Sequence, residues 1–239
     1  MNRLQAIAPT VPSAKRTGDP LAEVVARLES SAKKGERWLA GYAKNKVRLD
    51  HLYRAALPWV PPGAKVLDLG SGVGLLGMLL DARGLGNETH GIEWDAPKAR
   101  FAQRLAEGNP SIRVVCGDLS KESWPECSVI SVLDVLHYFP PDQQRALLLR
   151  IGAHLPEGGR LLLRVMDARA GGMALISRLF ERVAVGVGWN RALRVHWRPL
   201  AVVQRDLQEA GVSILPSMGT AHCVWGNCLL VAEKSGRAL

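Results

Sequence analysis

Val66-Leu-Asp-Leu-Gly-Ser-Gly-Val-Gly-Leu-Leu-Gly77 carries the strongest structural signal in the chain. An apolar run ends in Asp68, glycines follow at positions 70, 72 and 74, and an apolar segment continues to residue 80. This order predicts a buried strand, a tight turn and the start of a helix. Glycine permits backbone conformations that a Cβ atom forbids, and the N–H groups at a helix start can receive a carboxylate or phosphate. We therefore expect a ligand at this turn.

Three further apolar segments end in polar residues, at the spacing of repeated strand–helix units. These endings are Glu93-Trp94-Asp95, Gly117-Asp118-Leu119 and Asp134-Val-Leu-His137-Tyr138. A carboxylate about 20 residues past the glycine turn, here Glu93, can accept hydrogen bonds from both ribose hydroxyls. Asp118 can accept from an adenine amino group, while Trp94 and Leu119 can cover the ring. Each acid alone is compatible with a helix cap, but four strand-end signals in order favour one shared ligand at the carboxyl ends of the strands.

The glycine spacing itself is compatible with two kinds of ligand. Gly72, Gly74 and Gly77 fit the G-x-G-x-x-G fingerprint of dinucleotide-binding folds. Asp68-x-Gly-x-Gly-x-Gly74, placed directly after the strand, resembles the S-adenosylmethionine (SAM) loop of class I SAM-dependent methyltransferases. Together with the strand-end residues, the chain resembles this family from about Pro61 to Glu233. The resemblance implies an α/β, Rossmann-like fold: a seven-stranded, mostly parallel sheet with helices on both faces and an N-terminal helical lid.

The resemblance also implies SAM as the cofactor. The residues that it implies for SAM binding are Gly70, Gly72, Gly74, Glu93, Trp94, Asp118 and Leu119. We add Asp68, Ser71 and Asp134 to the predicted cofactor set, because they lie at or beside the strand ends. Ser71 stands where many relatives carry Cys or another small residue, and this departure puts nothing in doubt. We predict no metal ligands.

The order of helical and strand-like patterns predicts three parts. Residues 1–19, rich in Pro, Ser, Thr and Gly, predict a flexible tail. Residues 20–60 hold two helical patterns, 21–39 and 44–57, and form the predicted lid. Residues 61–239 form the SAM-binding domain, interrupted by an inserted lid segment at 170–196. That segment contains an apolar, roughly helical stretch, which also fits an oligomer contact or a membrane-surface helix.

The formal net charge of +9 is concentrated in Lys and Arg clusters at residues 27–54 and 178–205. Such a field attracts RNA, an acidic carrier protein, an anionic substrate or anionic lipid, and it is equally compatible with a solvated basic surface. The 4 cysteines lack metal-binding spacing and fit reduced, packed thiols. Because neither a signal peptide nor an apolar run of about 18 residues occurs, we expect a cytoplasmic protein without a transmembrane segment.

Methyl transfer is an in-line displacement at a sulfonium carbon, often with loss of a proton from the acceptor. Acceptor-site residues are therefore expected after the fourth and fifth strands and on the lid. His137 is the first candidate base, because histidine titrates nearest neutrality, although packing beside SAM also fits it. Further candidates for the acceptor site are Tyr138, Arg164, Asp167, His196, Trp197 and Arg198. Tyr42 and Lys46 are placed to close over the cofactor, and His222 fits a structural role.

The sequence after the fourth strand favours a small-molecule acceptor. Leu133-Asp-Val-Leu136 replaces the Asn/Asp-Pro-Pro-aromatic signature of enzymes that methylate amino groups of nucleic acids, and no Pro-Cys nucleophile for cytosine occurs. We therefore predict a methyltransferase for an aromatic or acyl-type biosynthetic intermediate. Two alternatives stay open: an RNA methyltransferase, suggested by the basic charge, and a SAM-binding partner subunit without catalysis, suggested by the absence of an unmistakable base.

Three short stretches resemble, more narrowly, the methyltransferases of bacterial aryl-polyene pigment pathways. They are Gly41-Tyr-Ala-Lys-Asn-Lys-Val-Arg-Leu-Asp50, Leu133-Asp-Val-Leu-His-Tyr138 and Trp225-Gly-Asn-Cys-Leu-Leu230. This likeness implies an aryl acid or polyene precursor as the acceptor, tethered to an acidic carrier protein. The basic clusters of the predicted lid would then face that carrier.

Overall fold

The computed structural model describes residues 18–166, 195–215, 221–223 and 227–236, the side chains of 221–223 excepted. The chain divides into two compact units, one ending at Ser131 and the other beginning at Val132. Several predictions lie outside the described residues: the tail up to residue 17, Asp167, and the inserted segment from 170 to 194. No helix in the described ranges is long and apolar enough to cross a membrane.

Parallel strands form the centre of the first unit. They are β1 (Lys65–Leu69), β2 (Glu88–Glu93), β3 (Ile112–Cys116) and the beginning of β4 (Val129–Leu133). Their order is β3-β2-β1-β4, and every pair in it is parallel. The register places Asp68 beside Gly91 on one side and Ser131 on the other. The polar strand ends predicted from the sequence therefore meet at one edge of this sheet.

Five helices accompany these strands in the described part of the first unit. They are α1 (Pro20–Ser31), α2 (Arg37–Leu49), α3 (Leu52–Ala56), α4 (Leu75–Ala82) and α5 (Ala96–Leu105). Asp19 and Asp95 begin α1 and α5, because each side chain accepts an N–H from the first turn and a proline follows at the helix start. Gly77 lets α4 approach the sheet, since a Cβ there would lie 3.3 Å from Thr89 and Ile112.

The predicted lid helices have different boundaries from those expected. The pattern over 21–39 predicted one helix, but α1 ends at Ser31 because a new helical start forms at residue 33. There the Glu36 carboxylate accepts the Lys33 N–H at 3.2 Å, which is one half of a capping box. The second predicted helix, 44–57, is divided at Asp50, whose carboxylate accepts the N–H of Leu52 at 3.0 Å.

The second unit continues from the end of β4. Its elements are a 3₁₀ turn (Leu136–Tyr138), α6 (Pro141–His154), β5 (Arg160–Met166), α7 (Leu200–Glu209), β6 (Val212–Ile214), β7 (Ala221–Cys223) and β8 (Asn227–Lys234). The order is β4-β5-β8-β6, and β8 runs antiparallel to β5, β6 and the additional short strand β7. The predicted fold, a mostly parallel sheet of seven strands with helices, is confirmed, and β7 adds a short eighth strand.

Candidate functional site

The glycine turn after β1 is held against β2 by backbone hydrogen bonds. The N–H groups of Gly70 and Ser71 both donate to the carbonyl of Ile92, at 2.8 and 3.1 Å. Gly70, Gly72 and Gly74 have φ angles of 74°, 59° and 77°, a left-handed conformation that favours glycine. A Cβ at Gly72 would meet no atom within 4 Å, whereas one at Gly74 would lie 3.3 Å from the Ala102 Cβ. The turn is thus open above Gly72 and closed beneath Gly74.

Glu93 fastens this turn from the end of β2. One carboxylate oxygen accepts the N–H of Gly72 at 2.7 Å, and the other accepts the N–H of Asp95 at 2.8 Å. The side chain is buried, and burial raises the pKa of Glu93. Since each carboxylate oxygen has two lone pairs, both retain the capacity to accept one more hydrogen bond. The sequence predicted only the ribose-binding role of Glu93 and missed its bond to the turn.

A second buried carboxyl group, Asp68, lies one strand away. It is 4% exposed and accepts the hydroxyl of Ser131, which stands next to it in the β1–β4 register. Burial raises the pKa of Asp68 to about 6, the Ser131 hydrogen bond opposes the rise, and the nearby Glu93 charge adds to it. The neighbouring Ser71 hydroxyl is also buried and has no hydrogen-bond partner among the described residues. The base of the turn therefore holds polar groups that a ligand can use.

The two residues predicted to cover an adenine ring differ in exposure. Trp94 is 53% exposed, whereas Leu119 is buried and its carbonyl accepts the indole N–H of Trp124 at 3.0 Å. Asp118 is engaged locally, because one carboxylate oxygen accepts both the N–H and the hydroxyl of Ser120, at 2.9 and 2.6 Å. These hydrogen bonds, led by the hydroxyl, lower the pKa of Asp118. An ionised, partly exposed carboxylate is suited to accept an amino group.

In the second unit, Asp134 and Arg164 pair with each other. Nη1 of Arg164 lies 3.1 Å from Oδ2 of Asp134, and the Arg164 side chain is only 6% exposed. Asp134 has a φ of 62°, and it is the one residue other than glycine with a positive φ in the part of the chain that the structure describes. Such a conformation costs on the order of 1–3 kcal/mol and persists where neighbouring contacts hold it. The sequence predicted both residues separately but did not predict their pairing.

The residues predicted for the acceptor converge after β4. The His137 and Tyr138 rings lie 4.2 Å apart, and the His137 carbonyl accepts the N–H of His196 at 2.7 Å. Gln144, buried on α6, donates from one amide group to the carbonyls of Phe139 and His196, at 2.8 and 2.7 Å. Gln144 was missed, although a glutamine on the apolar face of α6 is a signal for a polar role. A small cavity borders His137, Gln144, His196 and Trp197.

The other candidates are less well placed for substrate. Nη2 of Arg198 lies 2.7 Å from an Asp206 carboxylate oxygen, and both side chains are largely buried. One nitrogen of the Arg198 guanidinium group is therefore already paired within the protein. Tyr42 lies on α2 and is 42% exposed, and Lys46 is one turn further along the same helix. His222 lies on β7, where only the backbone is described. Within the described ranges, no group of three or more His, Cys, Asp or Glu residues is arranged to hold a metal ion.

Comparison with known families identifies the enzyme class. Residues 41–214 match a family model described as a methyltransferase domain, and this match spans well over half of the chain. The chain belongs to this methyltransferase family. The predicted enzyme class, a SAM-dependent methyltransferase with SAM as cofactor, is confirmed. A search of curated proteins found no match to this methyltransferase.

Solved structures share the fold of the methyltransferase at low sequence identity. Magnesium protoporphyrin IX methyltransferase from Synechocystis PCC 6803 has a TM-score of 0.60 and 20% identity, with 89% of this chain and 100% of that chain covered. An O-methyltransferase family 2 protein from Planctomyces limnophilus, in complex with apigenin, has a TM-score of 0.63 and 22% identity, with 87% of this chain and 65% of that chain covered. Mitomycin 7-O-methyltransferase has a TM-score of 0.62 and 17% identity, with 90% of this chain and 60% of that chain covered. The chain therefore spans less than two thirds of these two O-methyltransferases.

Proposed function

We propose that this enzyme transfers the methyl group of SAM to a small aromatic or acyl-type biosynthetic intermediate in the cytoplasm. The observation that carries the proposal is the open turn at Gly72, held in place by a buried carboxylate that keeps accepting capacity. The segment after β4 supports an acceptor site, because imidazole, amide and indole side chains come together there beside a small cavity.

The first unit supplies the groups proposed to bind SAM. The Gly72 turn would receive the part of SAM that approaches the backbone, Glu93 would accept the ribose hydroxyls, and Asp118 would accept the adenine amino group. Trp94, which is half exposed, would cover the ring. Gly70, Ser71, Gly74, Asp68 and Leu119 would shape the pocket from below. Asp134, whose side chain pairs with Arg164 and whose backbone is left-handed, would complete the cofactor site at the end of β4.

The second unit supplies the groups proposed to act on the acceptor. Bound SAM supplies a methyl group already activated on a sulfonium sulfur. His137 would take the proton that the acceptor hydroxyl or amine loses during attack. The His137 backbone lies in the 3₁₀ turn, and Gln144 ties the segment after this turn to the irregular stretch that carries His196. Tyr138, His196 and Trp197 would then hold the acceptor against this base.

The acceptor class rests on likeness to other proteins. Two structural neighbours are named as O-methyltransferases, one of mitomycin and one in complex with the aromatic compound apigenin. The narrower resemblance to aryl-polyene enzymes adds an aryl acid or polyene precursor, carried by an acidic carrier protein. The positive field of the chain would favour that carrier.

The test is methyl transfer from radiolabelled SAM in an extract of the host, separated into organic-soluble, RNA and protein fractions. We expect label in the organic fraction, or on a carrier protein from which mild hydrolysis releases it. His137→Asn should abolish transfer while calorimetry still detects SAM binding, and His51→Asn, which alters an exposed histidine before α3, should change neither. Label retained on RNA would favour the nucleic-acid alternative, and SAM binding without transfer to any acceptor would favour a non-catalytic subunit.

A further inference from the structure

Helix α2 turns a stripe of large apolar side chains toward solvent. Trp38 is 45% exposed, Tyr42 42% and Leu49 76%. Their spacing of four and seven residues places them within about 40° of one another around the helix axis, over a length of about 16 Å. The opposite side of α2 is buried through Leu39, Ala40, Ala43 and Val47. The helix is therefore anchored by one apolar face and presents a second, and such an exposed patch marks an interaction surface.

Cations flank this stripe on both sides. Around the helix axis, Arg37 and Arg48 fall on one flank and Lys46 on the other, and α2 contains no Asp or Glu. Lys33 and Lys34, both exposed, precede the helix. Lys44 lies further from the stripe and pairs with Glu29 at 2.9 Å. The stripe is thus flanked by cations from α2 and the segment before it, and the acid that faces Lys44 and Arg48, Glu29, lies on α1.

We propose that this face of α2 docks on an anionic membrane surface. Aromatic and aliphatic side chains beside Lys and Arg are the composition that interfacial helices use: the apolar groups enter the headgroup boundary while the cations reach lipid phosphates. A second copy of the same face would bring like charges together, which opposes self-association. A nucleic acid would use the cations but not Leu49. The docking goes beyond the proposed methyl transfer and does not depend on which acceptor is used.

The test is flotation of the full chain with two kinds of vesicle at physiological ionic strength. One is pure phosphatidylcholine, and the other contains about 30% phosphatidylglycerol, a content that gives a strong negative surface potential. Two double variants separate the contributions: W38A/L49A removes apolar area, and R37Q/R48Q removes two charges. The control K65Q/R113Q removes the same number of charges from exposed positions on β1 and β3. SAM binding, measured for every variant, verifies that the fold is retained.

We expect binding to the anionic vesicles and little to the neutral ones. Each α2 variant should weaken binding by about tenfold, as the loss of two interfacial anchors or two cations predicts, while the control binds as the wild type does. Equal losses for R37Q/R48Q and K65Q/R113Q would overturn the proposal, because they would reflect net charge alone. So would absence of vesicle binding, or tighter binding to RNA or polyglutamate with no loss in W38A/L49A. Dimerisation that W38A/L49A abolishes would also overturn it, in favour of a second copy.

Discussion

Two buried charged residues, Glu93 in the first unit and Arg164 in the second, bind different kinds of partner. In the first unit, Glu93 binds backbone N–H groups and thereby shapes the Gly72 turn. In the second unit, Arg164 instead pairs with the side chain of Asp134, and Arg198 pairs with the side chain of Asp206. A backbone-directed carboxylate works with glycines, which leave a spacing in the sequence. A side-chain pair depends on a contact that no spacing of residue types specifies, so neither residue predicts the other.

The largest effect is expected from breaking the pair in the second unit. Arg164→Met should lower the free energy of unfolding by about 3 kcal/mol, because it leaves a partly buried carboxylate without its cation. Urea denaturation measures this loss. Arg160→Met on the same strand is the control: its partner Glu233 is 39% exposed, and the expected loss is below about 1 kcal/mol. Equal losses of unfolding free energy in the two variants would show that the Arg164–Asp134 pair stabilises the fold no more than the exposed pair does.

The next effect concerns how the folding stability contributed by Asp68 in the first unit depends on pH. The pKa of Asp68 is raised to about 6 from 3.8, so between these values the unfolded chain releases a proton that the native chain retains. Stability due to Asp68 therefore falls as pH rises from about 4 to 6, on the order of 3 kcal/mol, and stays low above that. Asp68→Asn should remove this fall in urea titrations. Asp118, whose pKa is lowered, contributes with the opposite sign.

The glycine turn offers a matched pair of substitutions. Gly72→Ala should weaken SAM binding by about a hundredfold, about 2.7 kcal/mol, because the added methyl group fills the open space and strains a left-handed residue. Gly63→Ala imposes the same strain at a φ of 69°, also with nothing within 4 Å, in the turn before β1. It should destabilise the fold without changing SAM affinity. Calorimetry on both variants separates the effect of backbone strain from that of ligand contact. Equal SAM affinities of the two variants would contradict SAM binding at the Gly72 turn.

The smallest effect is expected at Asp118. Its side chain is 45% exposed and already bonded to Ser120, so Asp118→Asn should weaken SAM binding by less than about tenfold. Glu93→Gln should cost more, between about tenfold and a hundredfold, since it disturbs the turn as well as the ribose contact. The reverse order in calorimetry would mean that the adenine end, not the turn, dominates affinity.

These contrasts explain what sequence alone could predict. The polar endings of β1, β2 and β3 were predicted, because apolar runs bounded by glycine and acids leave few alternatives. The break at Lys33 escaped prediction because it depends on the Glu36 side chain rather than on the apolar pattern. His137 and His196 were both predicted for the acceptor site, but the hydrogen bond between their backbones and the bond from Gln144 to the His196 carbonyl were not. The assigned roles of these site residues stay predictions.

The bond between Glu93 and the Gly72 amide has a consequence for the energetics of cofactor capture. A turn that is already fastened has lost its conformational freedom before any ligand arrives, so association does not have to order it. The Gly72 amide hydrogen should consequently exchange with solvent slowly in the free protein, at a rate set by opening of this bond. Recognition at this edge of the sheet would then proceed by selection of a rigid frame rather than by closure of the turn around its ligand.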